Sequence, residues 1–333
     1  MSQSSFQALV VRKTAEKQYE SHIETRSIED LPEGDVLVKV HYSSINYKDA
    51  LSAIGNKGVT RHYPHTPGID AAGEVAACSS GQFAVGEQVL VTGHDLGMDT
   101  DGGFGGYIRV PADWVLPLPS AMTLKQSMMY GTAGFTAALS LYELEAAGIT
   151  PRSGDILVTG ASGGVGSLAV GILSGIGYPV IAVTGKPQAQ ELLGKLGAKA
   201  VVDRQSIVDN SPKALLKGRF AGAIDTVGAE MLSSAIRSVQ YGGAVTCCGN
   251  AASGELHLTV YPFILRALRL IGIESVACPT PLRGEIWNRL AGPWAVADLS
   301  LLITEIGLDA VPEQLDAMLK GSHMGRWVVN LRS

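Results

Sequence analysis

A glycine-dense segment near the middle of the chain has the residue types and spacing to bind a phosphate group. It reads Gly160-Ala-Ser-Gly-Gly-Val-Gly166, with a strand-like run, Ile156–Thr159, before it and a helix-like run, Ser167–Leu173, after it. A strand that ends on glycines and leads into a helix presents free backbone N–H groups at the positive helix end, which suits a pyrophosphate. The spacing departs from Gly-x-Gly-x-x-Gly, so a glycine-rich turn without a ligand is the alternative. A second strand, Tyr178–Thr184, follows after one helix length and favours a dinucleotide site.

The end of that second strand indicates which dinucleotide is bound. Folds selective for NAD carry an Asp or Glu there, but this chain reads Val183-Thr184-Gly185-Lys186. A hydroxyl and a cation suit a 2′-phosphate, because charge-assisted hydrogen bonds to phosphate are strong. Arg204, just past the third strand, can add a stacking or bidentate contact. Either cation alone is as well explained as a solvated surface charge; their joint placement predicts NADPH.

Further cofactor contacts are expected at the ends of the other strands. The residues predicted to bind the phosphates are Ser162, Gly163, Gly164 and Val165. Gly249 and Asn250 follow the fifth predicted strand, and Ser275 follows the sixth. These three positions lie where a nicotinamide ribose and its amide are expected to run.

Composition limits the other function classes. The 333 residues suit two domains, and 46% hydrophobic with 17% charged residues describes a compact soluble protein. A formal net charge of −5 gives no reason to expect nucleic-acid binding. No apolar run is long enough to span a membrane, and no secretory signal is visible, so we expect a cytoplasmic protein. The four cysteines have no zinc-knuckle or disulfide-framework spacing and are expected to be free thiols.

The chain divides into a strand-rich part and an alternating part. Six strands are predicted before residue 125: Gln7–Val11, Ser21–Arg26, Val36–Ile45, Ala72–Cys78, Gln88–Thr92 and Tyr107–Val110. From Lys125 the spacing is helical, with a break expected at Gly131 or Gly134. The strands predicted after the glycine segment are Val180–Val183, Ala200–Val202, Gly222–Asp225, Ala244–Cys247 and Leu270–Ile273.

Helical or part-helical segments are predicted between these strands, and helices near the end of the chain. They are Gln188–Leu196, Ser211–Lys217, Met231–Val239, Pro262–Ala267, Leu282–Leu290 and Glu313–Leu319. A last strand, Arg326–Leu331, is expected to return to the first domain. The fold class is therefore α/β, with a β-rich partial barrel and a doubly wound parallel sheet. We assign residues 1–127 and 298–333 to the first domain and residues 128–297 to the second.

Several short strings give the chain a family resemblance. They are Ser44-Ile-Asn-Tyr-Lys-Asp49, Pro67-Gly-Ile-Asp70, Gly131-Thr-Ala-Gly-Phe-Thr-Ala137 and Ala223-Ile-Asp-Thr-Val-Gly228, beside the glycine segment. Together they resemble the quinone-oxidoreductase-like branch of the medium-chain dehydrogenase/reductase superfamily. The strings NYKDAL, TPGIDAAG and PFILR are most similar to the acrylyl-CoA reductase family. The resemblance implies a GroES-like domain, a Rossmann domain and NADPH-dependent reduction of acryloyl-CoA to propionyl-CoA. It also implies a homodimer built on the edge strand Leu270–Ser275.

The chain departs from the zinc-dependent members of that superfamily. Those members carry a cysteine ligand where this chain has Asn46, and a Gly-His-Glu string where it reads Gly68-Ile69-Asp70. The four closely spaced cysteines of the structural zinc site are also missing. Zinc sites need tetrahedral sets of N or S ligands, so we predict no metal.

Five residues are the candidate catalytic group. Hydride transfer to the β-carbon of an enoyl thioester leaves an enolate, so an oxyanion must be stabilised and a proton delivered. Tyr47 is a candidate proton or hydrogen-bond donor or a packing partner of the nicotinamide, with a solvent proton as the rival. Asn46 can hold the ribose or the substrate carbonyl. We hypothesise that Asn46, Asp49, Asp70 and Arg326 form a polar cluster between the domains that organises the site in place of a metal.

Structural explanations and rival functions stay open. Asp49 can cap a short helix, and Asp70 with Arg326 can be an ion pair that holds the last strand. A basic loop with Lys57, Arg61 and His62 is a possible anchor for CoA phosphates, although a solvated loop explains it better. The rival activities are reduction of quinones or other small α,β-unsaturated carbonyls. The rival from another class is a non-catalytic protein that binds or senses NADPH.

Overall fold

The structure is a computed structural model that describes residues 5–332. In chain order its strands are β1 (Ser5–Ala15), β2 (Gln18–Ser27), β3 (Val36–Ser44), β4 (Asp70–Cys78), β5 (Gln88–Thr92), β6 (Tyr107–Val110), β7 (Val115–Pro117), β8 (Ile156–Val158), β9 (Val180–Thr184), β10 (Ala200–Asp203), β11 (Phe220–Asp225), β12 (Val239–Cys247), β13 (Arg269–Gly272), β14 (Ile303–Gly307) and β15 (Arg326–Asn330). Its α-helices are α1 (Tyr47–Ala53), α2 (Leu124–Ala146), α3 (Gly164–Gly175), α4 (Gln190–Lys195), α5 (Ala229–Ser238), α6 (Tyr261–Arg266), α7 (Thr280–Leu290) and α8 (Val311–Leu319).

The chain forms two compact units. Unit 1 contains the described residues of 1–132, 276–287 and 303–333, and unit 2 contains residues 133–275 and 288–302. Residues 276–287, which the sequence-based division places in the second domain, belong to unit 1. Within residues 5–332, no helix is long and apolar enough to cross a membrane.

Unit 1 is a strand-rich partial barrel. Its seven-stranded sheet has six strands in the order β14-β15-β3-β4-β5-β7. The seventh strand, β6, lies outside this order and pairs with β3. A core of mostly β-branched residues packs behind the sheet, because alternate positions of strands such as β3 face inward. The last strand does return to this unit: β15 pairs antiparallel with β3, Val328 opposite Ser44. The ribbon of β1 and β2 is tied to the unit by bridges from Ala8 to Gly105 and Val11 to His65.

Unit 2 is a doubly wound parallel sheet of the Rossmann type. Its six strands have the order β10-β9-β8-β11-β12-β13, and every pair in it is parallel. The central strands are buried on both faces, which explains their nearly continuous apolar sequences. In such sheets ligands bind at the carboxyl ends of the strands, where the strand order reverses. Here that point lies between β8 and β11.

The predicted helix over Ser211–Lys217 is wrong. No helix forms there, because the backbone carbonyls are hydrogen-bonded by two arginines instead of by the next helical turn. Arg237 donates to the carbonyls of Ser211 and Lys213, and Arg266 donates to that of Leu216. Three elements were missed by the sequence analysis: α1, β7 and β14. The expected break in α2 falls at Gly131, whose φ of 52° and ψ of −158° are not helical.

Candidate active site

The carboxylate of Asp70 is the centre of a buried polar cluster in unit 1. Its Oδ2 accepts hydrogen bonds from Ser44 Oγ at 2.6 Å and from Asn46 Nδ2 at 2.7 Å. Its Oδ1 accepts from Thr132 Oγ1 at 2.6 Å, and the Thr132 backbone N–H reaches both oxygens. We call Asp70, Ser44, Asn46, Thr132 and Arg326 the Asp70 cluster. Its carboxylate is saturated by donors, as a buried charge requires.

Arg326 completes the Asp70 cluster from the start of β15. Its Nη2 donates to Ser44 Oγ at 2.7 Å and lies 3.9 Å from Asp70 Oδ2. Its Nε donates to the carbonyl of Met129 at 3.0 Å. Burial lowers the pKa of Arg326, and the charge of Asp70 opposes that shift. The guanidinium therefore joins the last strand to β3, β4 and the start of α2.

Gly131 is the backbone position that allows this cluster to close. A Cβ placed there would lie 2.4 Å from Asp70 Oδ2, 2.4 Å from Ser44 Oγ and 2.6 Å from Arg326 Nη2. Its positive φ is also one that side-chain-bearing residues rarely adopt. Ser44, Thr132 and Gly131 were missed by the sequence analysis, although Gly131 and Thr132 begin one of the strings that carry the family resemblance.

Asp49 positions the segment between α1 and β4. Its Oδ2 accepts from the backbone N–H of Asn46 at 2.7 Å, which caps α1. Its Oδ1 accepts from the backbone N–H groups of Gly68 and Ile69 at 3.1 and 2.9 Å. Burial, and next the charge of Asp70, raise the pKa of Asp49 to about 7, while the three N–H donors oppose the shift. The helix-capping role that the sequence left open is thus present.

Only one of the five candidate catalytic residues, Tyr47, has an accessible side chain. Asp49 and Asp70 are fully buried and Arg326 nearly so. Asn46 is 8% exposed at the edge of the cluster, and Tyr47, the first residue of α1, is 50% exposed. The structure therefore brings Asn46, Asp49, Asp70 and Arg326 together, and it leaves Tyr47 outside their hydrogen-bond network.

The glycine segment of unit 2 has the geometry of a phosphate loop. Gly160, two residues after β8, has a φ of 58°, and α3 begins at Gly164 with Gly163 as its N-cap and no side-chain capping bond. A Cβ at Gly166 would lie 2.4 Å from the carbonyl oxygen of Gly160, so only glycine permits the turn to approach the helix this closely. The predicted Ser162 lies in this turn, and the predicted Val165 is the second residue of α3. Helix N–H groups without a side-chain cap fit a pyrophosphate.

The predicted 2′-phosphate residues lie together at the ends of β9 and β10. Thr184 is paired with Asp203, so Arg204 begins directly beside the end of β9. A Cβ at Gly185 would lie 3.4 Å from Arg204 Cδ and Nε, which places the arginine side chain against that glycine. Thr184 Oγ1 donates to Ser162 Oγ and accepts from the Lys186 N–H, and partial burial lowers the pKa of Lys186.

A cavity of about 480 Å³ opens at the carboxyl ends of β12 and β13 in unit 2. Its lining includes the predicted Gly249 and Asn250, together with Gly272, Ile273 and Glu274, which lead to Ser275. Cys247 and Cys248 also line it, and burial raises the pKa of Cys248 to about 12. Burial also raises the pKa of Cys247, which favours the protonated, weakly nucleophilic form of both thiols. Among the described residues, the four cysteines form no disulfide bond.

The basic loop that was considered as a CoA anchor is largely ion-paired within unit 1. Arg61 Nε donates to Asp99 Oδ2 at 2.8 Å, and its backbone N–H donates to Asp99 Oδ1 at 2.7 Å. His62 Nδ1 lies 3.6 Å from the same carboxylate. The Arg61 and His62 side chains are solvent-exposed, as expected for a solvated loop, and the anchor role stays a prediction.

The donor atoms of the Asp70 cluster do not fit a zinc ion. An amide and a carboxylate stand where zinc sites have thiolates and imidazoles, and the carboxylate is already saturated. Among residues 5–332, no group of three or more His, Cys, Asp or Glu side chains is arranged to hold a metal.

The fold and these two sites define a two-domain dehydrogenase/reductase, and comparison with known proteins agrees. Residues 32–120 match the model "Alcohol dehydrogenase GroES-like domain", and residues 164–285 match "Zinc-binding dehydrogenase". The chain is 44% identical over 98% of its length to YhfP of Bacillus subtilis, called a quinone oxidoreductase, of which it covers 99%. It is 41% identical over 98% of its length to the acrylyl-CoA reductase AcuI of Ruegeria pomeroyi, of which it covers 100%.

Solved structures give the same result. The YhdH oxidoreductase of Salmonella enterica in complex with NADP has a TM-score of 0.95 and 41% identity, with 98% of this chain and 100% of that chain covered. YhfP with NAD bound also has a TM-score of 0.95, with 44% identity and 98% and 99% of the two chains covered. The chain belongs to the medium-chain dehydrogenase/reductase superfamily, in the family of the AcuI and YhfP proteins.

Proposed function

We propose that this chain is a zinc-independent, NADPH-dependent reductase of the C=C bond of an α,β-unsaturated thioester, most specifically acryloyl-CoA. The observation that carries the proposal is full-length similarity to AcuI together with two cations, Lys186 and Arg204, that follow β9 and β10, with no carboxylate at the end of β9. NADPH supplies the hydride when bound. The chain's own residues are proposed to bind and orient the cofactor and the substrate and to stabilise the developing charge.

We assign the residues of unit 2 to the parts of NADPH as follows. Ser162, Gly163, Gly164 and Val165 are proposed to hold the pyrophosphate through the N-terminus of α3. Thr184, Gly185, Lys186 and Arg204 are proposed to hold the 2′-phosphate. The cavity lined by Gly249, Asn250 and Glu274 has the position expected for the nicotinamide ribose and amide, and Ser275 directly follows Glu274.

Unit 1 is proposed to orient the substrate and to supply the proton. Reduction at the β-carbon leaves negative charge on the thioester oxygen, and a hydrogen-bond donor stabilises that charge. Tyr47 is the accessible candidate, through its hydroxyl as hydrogen-bond or proton donor, whereas both N–H groups of the buried Asn46 amide are donated to Asp70 Oδ2 and the Ser44 carbonyl. Asp49, Asp70 and Arg326 are positioning residues, because their buried side chains fix the backbone and the amide of Asn46.

Reduction of quinones is the second candidate function, favoured by the name of the 44% identical relative YhfP. It uses the same hydride chemistry, so the two candidates differ only in the acceptor. An NADPH-binding protein without turnover is the rival from another class. The exposed Tyr47, next in the chain to Asn46 of the closed polar cluster, supports catalysis over that rival.

We also propose a cytoplasmic homodimer that pairs through unit 2. Among the described strands, β13 pairs only with β12, so its other edge carries unpaired backbone groups. On α6 and just before it, Val260, Tyr261, Ile264 and Leu265 are exposed apolar side chains. A second copy that continues the sheet across β13 and covers α6 accounts for both features.

The test of the proposed function is an NADPH-oxidation assay with acryloyl-CoA, crotonyl-CoA, a quinone and a small enal, each repeated with NADH. Saturable turnover that is fastest with acryloyl-CoA and NADPH is the expected result. Turnover with quinones alone would transfer the assignment to the second candidate. NADPH binding with no turnover on any acceptor would leave the non-catalytic rival.

A further inference from the structure

The carboxylate of Asp225, at the end of β11, is a buried charge that the proposed reaction does not use. Its Oδ1 accepts from Thr159 Oγ1 at 2.7 Å, and its Oδ2 accepts from the backbone N–H groups of Val227 and Gly228 at 3.2 and 2.8 Å. The residue is fully buried. A charge kept in this environment must be stabilised by all of these donors, so the turn over residues 225–228 has little freedom.

The same turn is fixed to the start of the phosphate loop. The Thr226 N–H donates to Thr159 Oγ1 at 3.0 Å, and Thr226 Oγ1 donates to the Thr159 carbonyl at 3.0 Å. The hydroxyl of Thr159 therefore accepts from Thr226 while it donates to Asp225. A Cβ on Gly160, the first residue of the loop, would lie 2.2 Å from Thr226 Oγ1. We call Thr159, Asp225 and Thr226 the strand-end linkage.

The linkage also contacts the segment that follows β12. The N–H of Cys248 donates to the Asp225 carbonyl at 3.0 Å, and the N–H of Ala252 donates to the Val227 carbonyl at 2.9 Å. A Cβ on Gly249 would lie 2.3 Å from the carbonyl oxygen of Thr226. The turn over 225–228 thus lies against both the phosphate loop and the segment with Gly249 and Asn250.

We propose that Thr159 and Asp225 are positioning residues that set the distance between the pyrophosphate loop and the nicotinamide side of the dinucleotide site. The inference rests on the proposed NADPH site. A dinucleotide contacts both regions at once, so its affinity depends on their spacing. Adenosine 2′-monophosphate carries only the 2′-phosphate end of the cofactor. The proposed partners of that end lie at the ends of β9 and β10. The affinity for adenosine 2′-monophosphate therefore does not depend on the distance between the pyrophosphate loop and the nicotinamide side.

The test compares Thr159→Val, Thr159→Ser and a control, Thr246→Val, in the full-length protein. Thr246 is a fully buried threonine on the neighbouring strand β12, and its hydroxyl lies outside the strand-end linkage, 3.4 Å from the Ala223 carbonyl. The dissociation constants of NADPH and of adenosine 2′-monophosphate are measured by titration, and each variant is melted in parallel. Thr159→Val is expected to weaken NADPH by about tenfold or more while adenosine 2′-monophosphate is unchanged. Thr159→Ser restores NADPH affinity because it keeps the hydroxyl, and Thr246→Val leaves both ligands unchanged.

Other results overturn the inference in distinguishable ways. If the wild-type protein does not bind NADPH, the proposed function itself fails. If the wild type binds NADPH and Thr159→Val binds it equally well, or loses both ligands equally, the positioning role alone is wrong. If Thr159→Val does not fold, Thr226→Val is tested in its place. This variant removes the hydrogen bond from Thr226 Oγ1 to the Thr159 carbonyl and leaves Asp225 paired with Thr159. Unchanged NADPH affinity in a folded Thr226→Val would then refute the role.

Discussion

Gly131→Ala should disrupt unit 1 far more than the addition of one methyl group suggests. The new Cβ would lie 2.4 Å from Asp70 Oδ2 and 2.4 Å from Ser44 Oγ, where ordinary contacts begin at 3.4 Å. None of these atoms is the free end of a flexible side chain, because each is hydrogen-bonded within the buried Asp70 cluster. Relief of the overlap therefore requires Asp70, Ser44 or Arg326 to move and break a cluster bond.

The magnitude follows from two contributions. Placing a side chain at the φ and ψ of Gly131 costs about 1–3 kcal/mol. Breaking the buried pairing of Asp70 and Arg326 costs about 3–5 kcal/mol. We therefore expect Gly131→Ala to lose about 4–8 kcal/mol, which approaches the whole stability of a typical domain. The matched control is Gly81→Ala in the same unit: its φ is 72°, but nothing lies within 4 Å of its Cβ, so only the backbone cost applies.

The measurement is urea unfolding followed by tryptophan fluorescence. Trp114, Trp287 and Trp327 belong to unit 1 and Trp294 belongs to unit 2, so the signal reports mainly on unit 1. Gly131→Ala is expected to unfold at much lower urea than Gly81→Ala, or to be unfolded without urea. Equal midpoints and slopes for the two variants would refute the reasoning, because the cost at Gly131 would then be no more than that of its backbone conformation.

Three further predictions follow from the site. Because the pKa of Asp49 is raised to about 7 from 3.8, protonated Asp49 stabilises the fold below about pH 4, and up to about 4 kcal/mol of this stabilisation is lost as pH rises through 7. The difference in unfolding free energy between the wild type and Asp49→Asn, measured across this pH range, reports the effect. A difference that does not change with pH would contradict the prediction. Lys186→Ala or Arg204→Ala should raise the KM for NADPH by about tenfold or more and leave the KM for NADH unchanged. The control Lys195→Ala, at an exposed ion pair with Glu191, should alter neither KM. Equal increases of KM for both cofactors would oppose a 2′-phosphate role. Ile264→Glu, at a side chain 69% exposed, should convert a dimer to a monomer in light scattering, and an unchanged mass would remove α6 from the interface.

The sequence predicted those features that depend on local pattern. The glycine segment with its strand and helix, the parallel alternation around it and the strand near the end of the chain all have periodic or glycine signals. The helix α1 also had a local signal, since Asn46 and Asp49 have the spacing of a capping box, but the sequence analysis did not assign a helix there.

The remaining features depend on contacts between distant residues. Ser211–Lys217 has helical composition, yet Arg237 and Arg266, more than twenty residues later, bind its carbonyls and hold it out of a helix. Thr132 and Gly131 meet Asp70 across more than sixty residues, and Arg326 meets Ser44 across 282. No pattern of sequence spacing predicts contacts between residues so far apart. Asp70 and Arg326 could therefore be proposed as members of a polar cluster, but the residues that they both contact could not.

The most direct test of the central claim follows the hydride itself. Acryloyl-CoA is incubated with the protein and NADPH deuterated at C4 on one face or the other, and the product is analysed by mass spectrometry and NMR. The account predicts propionyl-CoA with one deuterium at the β-carbon from one of the two labelled cofactors and none from the other. NADPH consumption without propionyl-CoA, or propionyl-CoA without deuterium at the β-carbon from either cofactor, would contradict it.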